Sequence, residues 1–376
     1  MMQPETSSIP AAASHPRWNM LFFILLPVLI VPLLVMLLLL VRGNRAEQLY
    51  NRALAAAAAG DMAAAAVDFE KAGALGHAES SYNLALIYRS GAIEAENNEE
   101  LYLTYLTRAA LNGSLIAEFE LGVWDENQPE ADYPLAALHY RRAALGGLNE
   151  GLMALGRCYE NGLGVNKSAL LAREFYRKAA SQNHAAAERA LGMLYLSGAL
   201  GEADAALAEK HLRKAAETGD GQAFTALGYI YEHCRPDLDP EQADKLSGEW
   251  YRRGAEAADP EGIVNYGDFL LKHGHSEDAV KWFSLAADKF GFAPANHRLG
   301  IYYFKQTEPD YNLARTYFER AAAAGNSASW INLGIIAECG LDNNMPDRQR
   351  AVECYEMAEK LGHSDAADYL RKISAQ

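Results

Sequence analysis

The feature that most constrains this chain is an internal repeat, because a sequence built from one short unit folds by stacking copies of that unit. A five-residue element recurs nine times: an aromatic residue or leucine, any residue, usually a basic residue, then two small ones. It opens at Phe69, Leu106, Tyr140, Tyr176, Leu212, Tyr251, Phe283, Phe318 and Tyr355, with spacings of 37, 34, 36, 36, 39, 32, 35 and 37 residues. Seven residues after each opening residue stand Gly76, Gly113, Gly147, Asn183, Gly219, Ala258, Phe290, Gly325 and Gly362. Six glycines and one asparagine in nine slots are what a left-handed residue just past a helix C-terminus requires. The element therefore closes a helix, called B.

A second periodic element lies upstream of each later helix B: Leu84-Ala85, Leu121-Gly122, Leu155-Gly156, Leu191-Gly192, Leu227-Gly228, Tyr266-Gly267, Leu299-Gly300 and Leu333-Gly334. Tyr88, Tyr159, Tyr195, Tyr231 and Tyr303 follow three residues after the small one. These spacings place an apolar pair on one helical stripe, with a small residue where another helix can come close. This is helix A. Each unit is a helix hairpin of about 36 residues that buries its apolar face only by stacking on its neighbours.

The stretch Ala154-Leu-Gly-Arg-Cys-Tyr159-Glu-Asn-Gly162-Leu-Gly164-Val165, followed by Ala172-Arg-Glu-Phe175-Tyr176-Arg-Lys-Ala179-Ala180, resembles the Sel-1-like repeat, a relative of the tetratricopeptide repeat. The resemblance covers about residues 45–376, and the unit around Gly162 alone keeps the full Gly-x-Gly-Val loop. Elsewhere the A–B connection is acidic, around Glu94 to Glu100 and Asp125 to Asp132, or longer, across His233 to Leu246. The alanine-rich first helix, Ala53 to Ala59, matches the pattern poorly. The resemblance implies an all-α solenoid, a superhelix of about nine hairpins, that serves as a non-catalytic adaptor for protein assembly. Relatives of this kind are often membrane-associated, and some act in bacterial envelope or secretion systems as scaffolds or immunity proteins.

The second strong signal is the run Met20 to Val41, 22 residues without a charged or polar side chain. As a helix it spans about 33 Å at 1.5 Å per residue, against a hydrocarbon core of about 30 Å. It ends in Leu-Val-Arg42-Gly-Asn-Arg45, with no small-x-small processing site, and reads as a retained transmembrane helix rather than a cleaved signal peptide. Pro27 and Pro32 are tolerated in such a span, and Trp18 sits where an interfacial aromatic belongs. The expected organisation is a tail (1–19), a bilayer-crossing helix (20–41) and a repeat domain (45–376) whose last segment, with Tyr369 and Leu370, caps the stack. The expected location is a bacterial inner membrane. Arg42, Arg45 and Arg52 against Arg17 and the terminal amine favour a cytoplasmic repeat domain by a small margin, and a periplasmic one stays open.

With 34 basic and 49 acidic side chains the formal net charge is −15, which argues against a nucleic-acid partner. The first of four cysteines is Cys158, so none follows the apolar run to carry a lipid. No nucleophile elbow, Ser-x-x-Lys, zinc-protease, Walker or Cys-x-x-Cys pattern occurs, and Gly162-x-Gly164 lacks the third glycine of a dinucleotide loop. No catalytic residue, cofactor or metal is assigned. His273, His275 and His297 read as ordinary polar histidines. Cys339 and Cys354 read as small buried hydrophobes or, in an oxidising compartment, as a disulfide pair. The basic positions Lys71, Arg108, Arg142, Lys178, Lys214, Arg253 and Arg320 read as cations complementing helix-B C-termini.

Carried over from related tetratricopeptide hairpins, a partner surface is expected on helix A, at two and three residues before the small residue and one after it. Those positions hold Asn83, Glu120, Arg157, Arg189, Asn265, Asp268, Arg298 and Asn332. Their mixed charge suits a protein or peptide ligand. The expected function is a membrane-anchored interaction scaffold; the alternatives are an immunity or inhibitor protein of a bacterial secretion system and, further off, an envelope enzyme.

Overall fold

The computed structural model describes residues 16–342 and 345–375, with side chains from Val31 onward. Every regular element among the described residues is an α-helix, nineteen in all. They fall into two compact units, Met1–Cys158 with Gly162–Asn166, and Tyr159–Asn161 with Lys167–Gln376. The N-terminal unit holds α1 (Pro16–Ala58), α2 (Met62–Ala74), α3 (Ala78–Arg89), α4 (Asn98–Leu111), α5 (Leu115–Glu126) and α6 (Tyr133–Leu145), with most of α7 (Asn149–Asn161). The C-terminal unit begins with α8 (Ala169–Ala180), α9 (Ala185–Leu196), α10 (Ala205–Ala216), α11 (Gly221–His233), α12 (Pro240–Glu256) and α13 (Pro260–Lys272). It ends with α14 (Ser276–Phe290), α15 (Ala293–Phe304), α16 (Tyr311–Ala323), α17 (Ser327–Cys339), α18 (Arg348–Lys360) and α19 (Ala366–Ser374).

Odd-numbered helices from α3 to α17 are the A helices and even-numbered ones the B helices, so the expected hairpins are present. Within each unit a helix packs on the next in sequence. The stops fall where glycine predicts them: Gly76, Gly113, Gly147, Gly219, Gly325 and Gly362 all have positive φ, and Asn183 and Ala258 adopt the same left-handed conformation at φ 60° and 61°. Phe290 does not. Helix α14 runs to Phe290, two residues further past its opener than α16 does, and Gly291, one residue later than the expected slot, takes the left-handed position. Most B helices are also started by a side-chain cap, with Asp61, Asp132, Ser168, Asp204, Asp239, Asp310 and Asp347 each accepting from a first-turn amide. Part of the acidic surplus is therefore spent at helix starts.

The small residue of helix A seats the opening residue of its helix B. A Cβ added at Gly122 would stand 2.6 Å from the Tyr140 ring, and one at Gly228, Gly267, Gly300 or Gly334 would overlap Tyr251, Phe283, Phe318 or Tyr355. Tyr140, Tyr355, Phe283 and Phe318 are fully buried there. The tyrosine three residues after the small one stacks on the residue just before the helix-B opener: Tyr88 on Tyr105, Tyr159 on Phe175, Tyr195 on His211 and Tyr303 on Tyr317, with centroids 5.5–5.7 Å apart. At the C-terminal end α19 lays Tyr369 on Tyr355 at 5.0 Å and buries Ile373, as a capping helix does.

The start of the chain differs from expectation. No separate first helix begins near Ala53; α1 is continuous from Pro16 to Ala58, and its last third, with Ala46 and Ala53 buried, serves as helix A for α2. The only helix breaker in the expected joint is Gly43, a single residue costing about 1 kcal/mol in a helix. Val31 and Leu33 to Val41 are 48–68% exposed on α1. No helix is long and apolar enough to cross a membrane among the described residues, and the side chains of residues 20–30 in the expected span lie outside them.

Candidate functional site

All eight expected surface residues lie on A helices, Asn83 on α3, Glu120 on α5, Arg157 on α7, Arg189 on α9, Asn265 and Asp268 on α13, Arg298 on α15 and Asn332 on α17. The charged ones are tied down by neighbours. Glu120 accepts from the Tyr82 hydroxyl (2.6 Å), the Tyr102 hydroxyl (3.0 Å) and Arg89 (2.9 Å). Burial and that carboxylate hold both tyrosine hydroxyls well above their ordinary pKa. Arg157 reaches Glu126 at 2.5 Å, Arg189 reaches Asp220 at 2.9 Å, and Arg298 straddles both oxygens of Asp268 at 2.8 and 2.9 Å. Asn332 donates its amide to Ala328 of its own helix. Asn83, half-buried, and Asn265 make no side-chain hydrogen bond of this kind.

The regularity behind these pairs is the repeat itself. The partners are 30 or 31 residues apart, somewhat less than one repeat, so opposite charges meet from one hairpin to the next.

Other groups singled out by sequence also have structural duties. Lys178, Arg108 and Arg320 lie over the rings of Phe175, Tyr105 and Tyr317 three residues earlier, and Arg253 lies over Trp250 and Phe224. Arg142 and Lys214 instead reach buried carboxylates, Glu118 (3.5 Å) and Glu188 (2.9 Å), which His139 and His211 also contact at 2.6 Å. Burial pushes the Glu188 carboxyl up, and the bonds from His211 and Lys214 overcome it and hold it below its ordinary range. These basic residues do more than complement helix ends. His273 pairs with Asp244 at 2.8 Å and His297 with the Ser329 hydroxyl at 2.8 Å, so these two histidines go to different partners. Ser329 donates to Asn326, which makes His297 Nδ1 the donor to Ser329. All four cysteines are free, Cys158 and Cys354 buried and Cys339 exposed. Burial pushes the Cys158 and Cys354 thiols up to about 11.

In the C-terminal unit the A helices α9, α11 and α13 together line a cleft of about 380 Å³. Arg189 and Asn265 stand on its walls with Met193, Tyr229, Gln222 and Glu261. Met193 and Tyr229 are each 45% exposed, although both are large and apolar. They occupy the register one residue after the helix-A glycine, the register of Asp268. Sequence reasoning took only polar residues from it and so missed them. The N-terminal unit has a wider cleft of about 650 Å³ among α3, α4 and α5, where Glu120 meets Trp124, Phe119 and Asn98.

A family model described as Sel1 repeat matches residues 78–114, 115–148, 149–184, 185–220, 265–289, 293–326 and 331–363, more than half of the chain. Among solved structures the chain is similar to a protective antigen of uropathogenic Escherichia coli, at 20% identity and TM-score 0.60, covering 88% of this chain and 80% of that one. It is also similar to a Sel1 repeat protein from Oxalobacter formigenes, at 23% identity and TM-score 0.57, covering 81% and 89%. A curated relative from Mus musculus, named DAP3-binding cell death enhancer 1, is 35% identical over 99 residues. That match spans 26% of this chain and 19% of the relative's length.

Proposed function

Since this chain belongs to the Sel1 repeat family, we propose that it acts as a non-enzymatic scaffold, held at a membrane by α1, that binds a protein or peptide partner on the A-helix face of its C-terminal unit. The observation that carries the reading is the cleft across α9, α11 and α13, where exposed Met193 and Tyr229 lie beside Arg189 and Asn265. A large aromatic and a flexible thioether ringed by polar groups are the composition of interface anchors. The half-buried ion pairs elsewhere on this face hold register between hairpins and leave the cleft as the place where apolar area awaits cover. Asn265, at the same register as Asn83 and Asn332, is placed to bond the backbone of an extended ligand. The membrane part of the reading rests on the apolar run from Met20 to Val41 and on the exposed leucines and valines of α1 from Val31 onward.

Affinity capture of the full chain from detergent-solubilised membranes tests the reading, comparing the natural chain with Met193→Ala/Tyr229→Ala. Exposed substitutions usually cost less than about 0.5 kcal/mol of stability, whereas loss of an interface anchor costs about 2 kcal/mol or more of binding. The double variant is expected to melt with the natural chain and to lose at least about tenfold of the captured partner. Undiminished capture overturns the cleft assignment, and release of the natural chain from membranes by carbonate overturns the anchor.

A further inference from the structure

The junction between α1 and the first hairpin orients the whole N-terminal unit. Arg42, the first charged residue after the apolar run, turns back and donates to the carbonyls of Leu75 (2.9 Å) and Ala74 (3.2 Å), the last residues at the C-terminal end of α2. The chain enters the hairpin with no flexible joint, because α1 is one unbroken helix through this point. The C-terminal end of α2 therefore lies at the level where the apolar part of α1 leaves the unit.

That level continues along one edge. Asn112, just after α4, donates to Gly73 at the end of α2 (3.1 Å), and Gly146, just after α6, leaves no room for a side chain beside Leu115, which opens α5. The ends of α2, α4 and α6 thus form a continuous row beginning at Arg42. The last residues of α4 and α6 are Leu111 and Leu145, 81% and 80% exposed, the most exposed large hydrophobics among the described residues. One turn back on each helix stand Lys71, Arg108 and Arg142, the last paired with Glu118 of α5, and the stretches 71–77, 108–114 and 142–148 contain no acidic residue. The corresponding ends in the C-terminal unit carry Ser181, Glu217, Glu256, Asp288, Ala323 and Lys360 at the leucine register, none of them a large hydrophobic residue. The leucines are therefore confined to the hairpins next to the apolar helix.

We infer that this edge rests on the bilayer surface, with Leu111 and Leu145 seated in the lipid interface and Lys71 and Arg108 facing anionic headgroups. Lone leucines this exposed lose hydration cost on entering an interface, and basic side chains above them snorkel to phosphate. The inference rests on the anchor reading and adds to it: the unit lies against the membrane instead of swinging from a tether.

The test uses the full chain in nanodiscs of phosphatidylcholine and phosphatidylglycerol, with Cys234 and Cys339 changed to serine and buried Cys158 and Cys354 left in place. A spin label is placed in turn at Leu111→Cys, Leu145→Cys, Glu96→Cys in the connection at the other end of the hairpin, and Leu37→Cys on the apolar helix. Collisions with oxygen, which enriches in lipid, and with a water-soluble nickel chelate give depth. Expected are a label at Leu37 in hydrocarbon, labels at Leu111 and Leu145 at the headgroup boundary with nickel collisions severalfold below those at Glu96, and Glu96 in water. Leu37 in hydrocarbon with Leu111 and Leu145 as wet as Glu96 overturns the surface contact alone. Leu37 in water overturns the anchor and this inference with it. Shielding of Leu111 and Leu145 from both reagents, the signature of a second protein copy, also overturns it.

Discussion

Tyr355 donates its phenolic hydrogen to Glu338 at 2.7 Å, four residues past Gly334, the glycine its ring covers. The same bond runs from Tyr140 to Glu126 (2.7 Å), Tyr176 to Glu160 (2.6 Å) and Tyr251 to Glu232 (2.6 Å). Where the helix-B opener is leucine or phenylalanine, at 106, 212, 283 and 318, the matching helix-A position holds Arg89, Leu196, Leu271 and Phe304, none of them an acid. Tyrosine and glutamate occur together or not at all, because a buried hydroxyl needs a partner.

Tyr355→Phe, which strands the Glu338 carboxylate, is expected to cost about 1–2 kcal/mol in urea unfolding. The reciprocal change Phe318→Tyr buries a hydroxyl with no acceptor beside Phe304 and is expected to cost about 1–3 kcal/mol; adding Phe304→Glu should recover most of it. Equal stability of Phe318→Tyr with and without the added glutamate would show that the pair is incidental.

Ala258 holds a left-handed conformation at φ 61° in the slot where six other hairpins use glycine. Relief of its Cβ outweighs the extra freedom glycine gains on unfolding, so Ala258→Gly should stabilise the chain by about 0.5–1 kcal/mol. Gly325→Ala, in the same slot, should destabilise it.

His297 has its pKa lowered to about 4 by burial and by Arg298, from an ordinary 6.5. Between those values the unfolded chain binds the proton and the folded chain does not, so stability falls as pH drops from about 6.5 toward 4. His297→Asn keeps a donor for Ser329 and removes the titration. The urea midpoint of the natural chain should fall more steeply over that range than the variant's; parallel profiles would refute the assignment.

Arg298→Ala together with Asn332→Ala removes a half-exposed ion pair with Asp268 and an amide bonded within its own helix. The melting curve should shift by less than about 1 kcal/mol in stability, as exposed pairs contribute little. Leu299→Ala, one residue away and fully buried, should cost about 2–5 kcal/mol.

The fold was legible because its punctuation is local: a glycine seven residues past the opener stops helix B, and a glycine in helix A admits a ring. The failures are local too. Phe290 misled because α14 runs two residues further past its opener and its left-handed stop comes one residue later, at Gly291, and the joint at Gly43 gave no sign of a break because there is none. The candidate surface was legible in register but not in membership. Choosing polar side chains selects residues such as Glu120, Arg189 and Arg298, which find partners in neighbouring hairpins and are not free to signal a ligand. Met193 and Tyr229 carry no charge to attract notice, and their exposure depends on how α9, α11 and α13 pack.

Partner binding through the A-helix face is tested most directly by site-specific photo-crosslinking of the full chain in its own membranes. A photoreactive residue replaces Tyr229 or Asn265 on that face, or Arg252, which is 54% exposed on helix α12. The account predicts one and the same crosslinked species from Tyr229 and Asn265 and none from Arg252. Adducts from Arg252 alone, or the same adducts from all three positions, would contradict it.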